Sequence, residues 1–122
     1  IREIAMTIEE CYEAIESDYK SVFKRFGNGA MVKRFAIKFL NDPSFNELKD
    51  GIENNDVEKA FRAAHTLKGI CLNLGFDKLF EVSSALTDEL RGKDKLPECS
   101  DMFAAVEKQY NILVENIKNV EA

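Results

Sequence analysis

The stretch AAHTLKGICLNLG, from Ala63 to Gly75, contains the single histidine of a 122-residue chain. Asp56 upstream is an N-cap type and Gly75 is a helix stop, so the spacing predicts one helix from Val57 to about Leu74. Each residue of such a helix advances about 100°, which brings Val57, Ala60, Ala64, Leu67, Cys71 and Leu74 within about 60° of one direction. That is the core face. His65 falls about 120° from its centre, outside the buried stripe. Lys68 sits at the boundary one turn later, and Arg62 and Gly69 point farther toward solvent. Phe61 and Leu72 flank the imidazole on its own side.

The rest of the chain is helical in pattern as well. Thr7-Ile8-Glu9-Glu10 reads as a capping box, and Ile8, Tyr12, Ile15, Tyr19, Val22 and Phe26 behind it form one apolar stripe. Ser17-Asp18 is a second cap signal, so this segment is one helix or two. Gly27-Asn28-Gly29 closes it. Met31, Phe35 and Phe39 mark the next helix, which Asn41-Asp42-Pro43 stops. Ser44-Phe45-Asn46-Glu47 reads as another capping box, opening a short helix with Phe45, Leu48 and Ile52 inward. After the Val57–Leu74 helix, another runs from about Asp77 to Leu90 with Leu79, Val82 and Leu86 buried. Gly92-Lys93-Asp94-Lys95 is a polar loop, and Pro97 suits a first helical turn. Phe103, Val106, Tyr110, Leu113, Ile117 and Val120 then form a last apolar seam. No strand-like alternation competes. Four long amphipathic helices with short connections predict an all-α chain, an antiparallel four-helix bundle with additional short helices at its N-terminal end.

The totals narrow the function. One domain covering 1–122 suits this length. With 45% apolar and 32% charged residues the composition is that of an ordinary globular chain. The net charge of −5 argues against nucleic-acid binding and leaves room for only a local basic patch. Cys11, Cys71 and Cys99 are odd in number, widely spaced and without a CxxC pair, so they read as reduced thiols of a cytoplasmic protein. No run approaches the ~18 apolar residues of a membrane span, and no signal-peptide pattern appears. Met6 is a candidate natural start, with residues 1–5 then belonging to upstream sequence.

An accessible imidazole is largely neutral near pH 7 and is a good nucleophile. Attack on phosphorus would make a phosphohistidine. Lys68, at i+3, can place its ammonium by the phosphoryl oxygens. Glycine costs a helix interior about 1 kcal/mol against alanine, so Gly69 calls for a reason; with no Cβ, it lets a partner backbone approach beside the histidine. Helix packing is the plainer explanation, and the outward direction of Gly69 counts against it. The chain carries no Gly-rich phosphate loop, no GxxxxGK[ST] and no kinase motif set, so it is not expected to use ATP. No Ser-His-Asp or Cys-His spacing is present, and one histidine is too few for a typical zinc site. The phosphoryl group and its metal would have to arrive on a partner.

His65-Thr66-Leu67-Lys68-Gly69, followed by Leu74-Gly75 and Leu79, resembles the HxLKG signature of bacterial histidine-phosphotransfer (HPt) domains. The resemblance extends from about Phe26 to Ile117 and leaves about 1–20 outside. It implies a phosphorelay carrier, not a kinase. His65 would take a phosphoryl group through Nε2 from a receiver-domain phosphoaspartate and pass it to another receiver. Lys68 would be the phosphoryl-side cation and Gly69 the docking clearance; Phe61 and Leu72, large apolar groups on the same exposed face of the wheel, read as further docking residues. It implies no cofactor on this chain, with Mg2+ held by the receiver. Partners would be response-regulator receivers and a hybrid sensor kinase, met by a monomer. Family members often have small residues after Lys-Gly, where this chain has Ile70 and Cys71. They also often present a polar group from the next helix to the histidine. Thr87 is the candidate by spacing, with Ser83 or Ser84 behind it, and plain surface placement is the competing reading for all three. Two other functions compete: a helical adaptor that docks receivers without being phosphorylated, and a metal or redox enzyme using Cys71 beside His65.

Overall fold

In a computed structural model that describes residues 5–120, the chain forms seven α-helices and one 3-10 turn. They are α1 (Ile8–Ala14), α2 (Tyr19–Phe26), α3 (Gly29–Lys38), the 3-10 turn Phe39–Asn41, α4 (Ser44–Glu53), α5 (Val57–Leu74), α6 (Asp77–Leu90) and α7 (Ser100–Lys118). Residues 1–4, which belong to the segment ahead of Met6, lie outside the described residues.

Local chemistry explains most boundaries. Thr7 and Glu10 exchange the two hydrogen bonds of a capping box at α1, 3.1 Å and 2.8 Å long. The first apolar stripe breaks into two helices, because Glu16 turns left-handed at φ 58° and Asp18 caps α2 by accepting from the Ser21 N–H. Asp56 caps α5 by accepting from the Lys59 N–H, and Gly75 ends it at φ 69°. A side chain at position 75 would meet two obstacles: the left-handed backbone, and Val22 Cγ2 in the path of the added Cβ.

Four local readings are corrected. Ser44 is not an N-cap: it is the buried first residue of α4, and its own N–H donates to the Asp42 carboxylate at 2.9 Å. Pro97 precedes the last helix instead of opening it. Glu98, accepting from the Ser100 N–H at 3.1 Å, delays the start to Ser100. Val82 of α6 is half-buried, not buried with Leu79 and Leu86. On α3 the buried residues are Val32 and Ala36, while Met31 and Phe35 are half-buried. Phe35 stacks instead on Phe26 of α2, with ring centroids 5.3 Å apart. Val120 lies past α7, in an isolated parallel bridge with Met6.

Helices α4 to α7 make the bundle. Two-residue and three-residue connections fold α5 back on α6 and α4 back on α5, and α6 packs on α7. The ring closes through Phe45 of α4, which stacks on Tyr110 of α7 at 4.1 Å and on Phe103 at 5.9 Å. Leu48, Leu67, Leu86 and Val106 are fully buried between these helices. Each such leucine contributes about 1.5–3 kcal/mol through burial. Helices α1 to α3 cover the end where α5 turns into α6. Tyr12 Oη donates to the Leu74 carbonyl at 2.5 Å, Lys78 pairs with Glu16 at 2.7 Å, and the Asp77 N–H donates to Ser17 Oγ at 3.2 Å.

Helices α4 and α5 approach closely at Gly51 of α4. A Cβ there would lie 2.7 Å from Ala60 N and 3.0 Å from Ala60 Cα on α5. Helix propensity alone would favour alanine by about 1 kcal/mol. Backbone atoms cannot swing aside, so we expect Gly51→Ala to destabilise by about 1–3 kcal/mol. Denaturant midpoints check this, and an unchanged midpoint would mean that α4 can back away from α5.

Candidate functional site

Helix α5 presents one face to the core and one to solvent. Ala60, Ala63, Ala64, Leu67, Cys71 and Leu74 are buried, and Val57, nearest the N-terminus, is half-buried. His65 is exposed on the opposite side. The Phe61 ring, one turn earlier, is half-buried with its centroid 6.0 Å from that of the imidazole. Leu72 is 58% exposed, the largest value among the exposed large apolar side chains of the described residues. This open apolar side chain lies two turns from the exposed imidazole.

Lys68 is half-buried and takes part in none of the ion pairs among the described residues. Arg62 is engaged with Glu58 at 3.5 Å. Gly69 is exposed, and a Cβ there would have nothing within 4 Å. Internal helix packing therefore does not require this glycine. Ile70, the bulky residue after Lys-Gly, is half-buried against the core, and Cys71 is fully buried. His65, Lys68, Gly69, Phe61 and Leu72 are thus brought together on one open face by one helix.

Thr87 is not on that face. It is equidistant with His65 along the chain from Phe76, which sets the two at matching heights of the α5–α6 hairpin. Its side chain nevertheless turns into the core, fully buried, and its hydroxyl donates to the Ser83 carbonyl at 2.7 Å. No hydrogen bond joins it to His65 among the described residues. Surface placement is also wrong for Thr87 and Ser83, since Ser83 is fully buried with its Oγ unpartnered; Ser84 is half-buried. The residue that α6 does deliver is Arg91, just past its C-terminus. Its guanidinium carbon lies 5.2 Å over the Phe61 ring, a cation–π contact beside the imidazole. Equal spacing from Phe76 could have matched Arg91 with Phe61, but spacing does not tell which way a side chain on the second helix points.

The three cysteines are buried and free. Burial pushes the Cys11 thiol up to about 11, and it raises Cys71 and Cys99 as well. Buried, protonated thiols are poor nucleophiles and poor ligands. Cys71 faces the core while His65 faces out, so the two do not form a common site. Among the described residues, no group of three or more His, Cys, Asp or Glu side chains could hold a metal ion. No described helix is long and apolar enough to cross a membrane.

What remains is an exposed imidazole, a cation one turn on that joins no ion pair among the described residues, open space at a glycine, and apolar side chains on both sides. Comparison with known families places this chain in a wider group. The family model described as Hpt domain matches residues 41–119, a span that contains α4 to α7 and His65 and covers more than half of the chain. No curated protein and no solved structure matches the chain.

Proposed function

This chain belongs to the Hpt domain family, whose members carry phosphoryl groups on histidine in phosphorelays and are not kinases, and from that we propose that His65 accepts a phosphoryl group from a receiver-domain phosphoaspartate and passes it to a second receiver. The observation that carries the reading is the exposed placement of the single imidazole on the outer face of α5, next to open space at Gly69. Family members work with response-regulator receivers in general, and a hybrid kinase that contains one is a further partner in this reading.

The transfer balances without a group from this chain other than the imidazole. The Nε2 lone pair attacks phosphorus, and the bond from phosphorus to the aspartyl oxygen breaks. The electron pair leaves with the carboxylate, and Nδ1 keeps its proton. Mg2+ belongs to the receiver's carboxylates in this scheme. Lys68 neutralises charge on the phosphoryl oxygens, and Gly69 gives the receiver's backbone room. The return step runs the same bonds in reverse with a different aspartate.

Incubation with a panel of receivers carrying radiolabelled phosphoaspartate tests the proposal. Label should appear on this chain and then on a second receiver. Binding of receivers without any transfer would favour the adaptor reading.

Lys68 gives a sharper expectation. An unpaired, half-buried lysine on a helix surface contributes little to folding, so Lys68→Ala should shift stability by no more than about 0.5 kcal/mol. Beside a transferring phosphoryl group a cation offsets developing charge, and its loss should slow transfer by about tenfold or more. Single-turnover transfer rates and melting curves of the same variant decide it. Wild-type rates with lowered stability would make Lys68 a structural residue.

A further inference from the structure

Between Tyr19 and Lys38 the chain has six basic residues, Lys20, Lys24, Arg25, Lys33, Arg34 and Lys38, and no acidic one. All 22 Asp and Glu lie elsewhere in an otherwise acidic chain. These cations occupy α2 and α3, outside the span matched by the family. Five of them are exposed and Lys33 is half-buried. None of the six is in an ion pair with a described residue. Like charges held on two adjacent short helices repel one another.

The patch adjoins the histidine face. The Arg25 guanidinium donates to the Leu72 carbonyl at 3.0 Å and to that of Asn73, tying α2 to the end of α5 at the exposed leucine. On α3, Lys38 borders a depression shared with Ile70, the residue after Gly69. Arg25 and Lys38 therefore lie beyond the Gly69 and Leu72 side of His65.

We propose that α2 and α3 form an electrostatic docking surface that steers the acidic, phosphoryl-bearing face of a receiver onto His65 from the Gly69–Leu72 side. This rests on the phosphotransfer reading given above. A phosphorylated carboxylate centre is anionic, and it is the partner which that reading brings to this edge. An anionic lipid surface fits less well. Phe23 is the only large apolar side chain exposed on these helices, too little to insert, and the rest of the chain would be repelled.

The test compares Lys24→Glu/Arg34→Glu/Lys38→Glu with the control Lys95→Glu/Lys108→Glu/Lys118→Glu, which changes net charge equally at exposed sites elsewhere. Arg25 is kept because it holds α5. Both sets are made in a His65→Gln background, and binding of a panel of receivers loaded with beryllofluoride, an acyl-phosphate mimic, is followed at about 50 mM and about 500 mM salt. The patch variant should associate about tenfold or more slowly at low salt and converge with its parent at high salt. The control should stay within about twofold of the parent, and melting curves of all three should agree. Equal association of patch variant and parent at low salt overturns the proposal, as does a panel in which no receiver binds the parent. Sedimentation with phosphatidylserine vesicles that the patch variant loses, with receiver binding unchanged, assigns the surface to lipid and also overturns it. Because this binding needs no phosphohistidine, it separates from the labelling of the wild type. Salt-dependent binding without label leaves the surface standing and removes the transfer reading, while label with equal binding does the reverse.

Discussion

His65→Gln is expected to abolish phosphoryl labelling and to leave the fold intact. The chain has no other imidazole, so no second nitrogen of that kind can take over. His65 is exposed and has no hydrogen bond to a described residue, and Gln is a better helix former than His. A change at such a surface position shifts stability by no more than about 0.5 kcal/mol. Circular dichroism and the melting midpoint should therefore match wild type while labelling falls to background. The wild-type label should be lost in acid and survive base, as a phosphorus–nitrogen bond does; an acyl phosphate is cleaved by base. Undiminished labelling of the Gln variant would sink the assignment of His65, and a base-labile label would point to one of the carboxylates.

The second large effect is expected at Gly69, where docking and stability pull in opposite directions. Nothing lies within 4 Å of the position of an added Cβ, so Gly69→Ala meets no steric cost and gains about 1 kcal/mol of helix propensity. The melting temperature should hold or rise. Transfer should nonetheless fall, because the new methyl group stands between His65 and an approaching receiver. A misplacement of about 1 Å can cost about a hundredfold in a positioned reaction. Gly69→Glu adds bulk and a negative charge facing a negatively charged donor, so it should be slower than the Ala variant by a further large factor. The expected order of transfer rates is Gly, then Ala, then Glu, with no matching order in stability. Full activity in the Glu variant, with the fold intact, would show that receivers do not dock here. Gly51→Ala makes a useful contrast, since there the same methyl group meets the backbone of α5 and the loss should appear in stability.

Much of this molecule is legible from the chain because it depends on neighbours in sequence. The limits of α5 and α6 follow from Asp56, Gly75 and the apolar period, and the structure has them at Val57–Leu74 and Asp77–Leu90. The five residues of the histidine face share one helix. Once that helix exists, its 3.6-residue repeat sets the angle between any two of its side chains, and the wheel separates His65 from Cys71 without knowledge of any other element. The misread boundaries are also local, but there two signals compete. Asp42 and Glu98 take the capping that the pattern gave to Ser44 and to the turn at Pro97.

Relations between helices are a different matter. Thr87 and Arg91 stand at matching heights opposite His65 and Phe61, yet Thr87, the candidate by spacing, turns inward and Arg91 reaches Phe61. Nor does the order of charges along the chain reveal that the basic helices α2 and α3 adjoin the Leu72 end of the histidine face. Spacing along a helix is a property of its own backbone, and the sequence by itself determined it. The rotation of one helix against another is set by which side chains fill the shared core, and only the tertiary structure decided that.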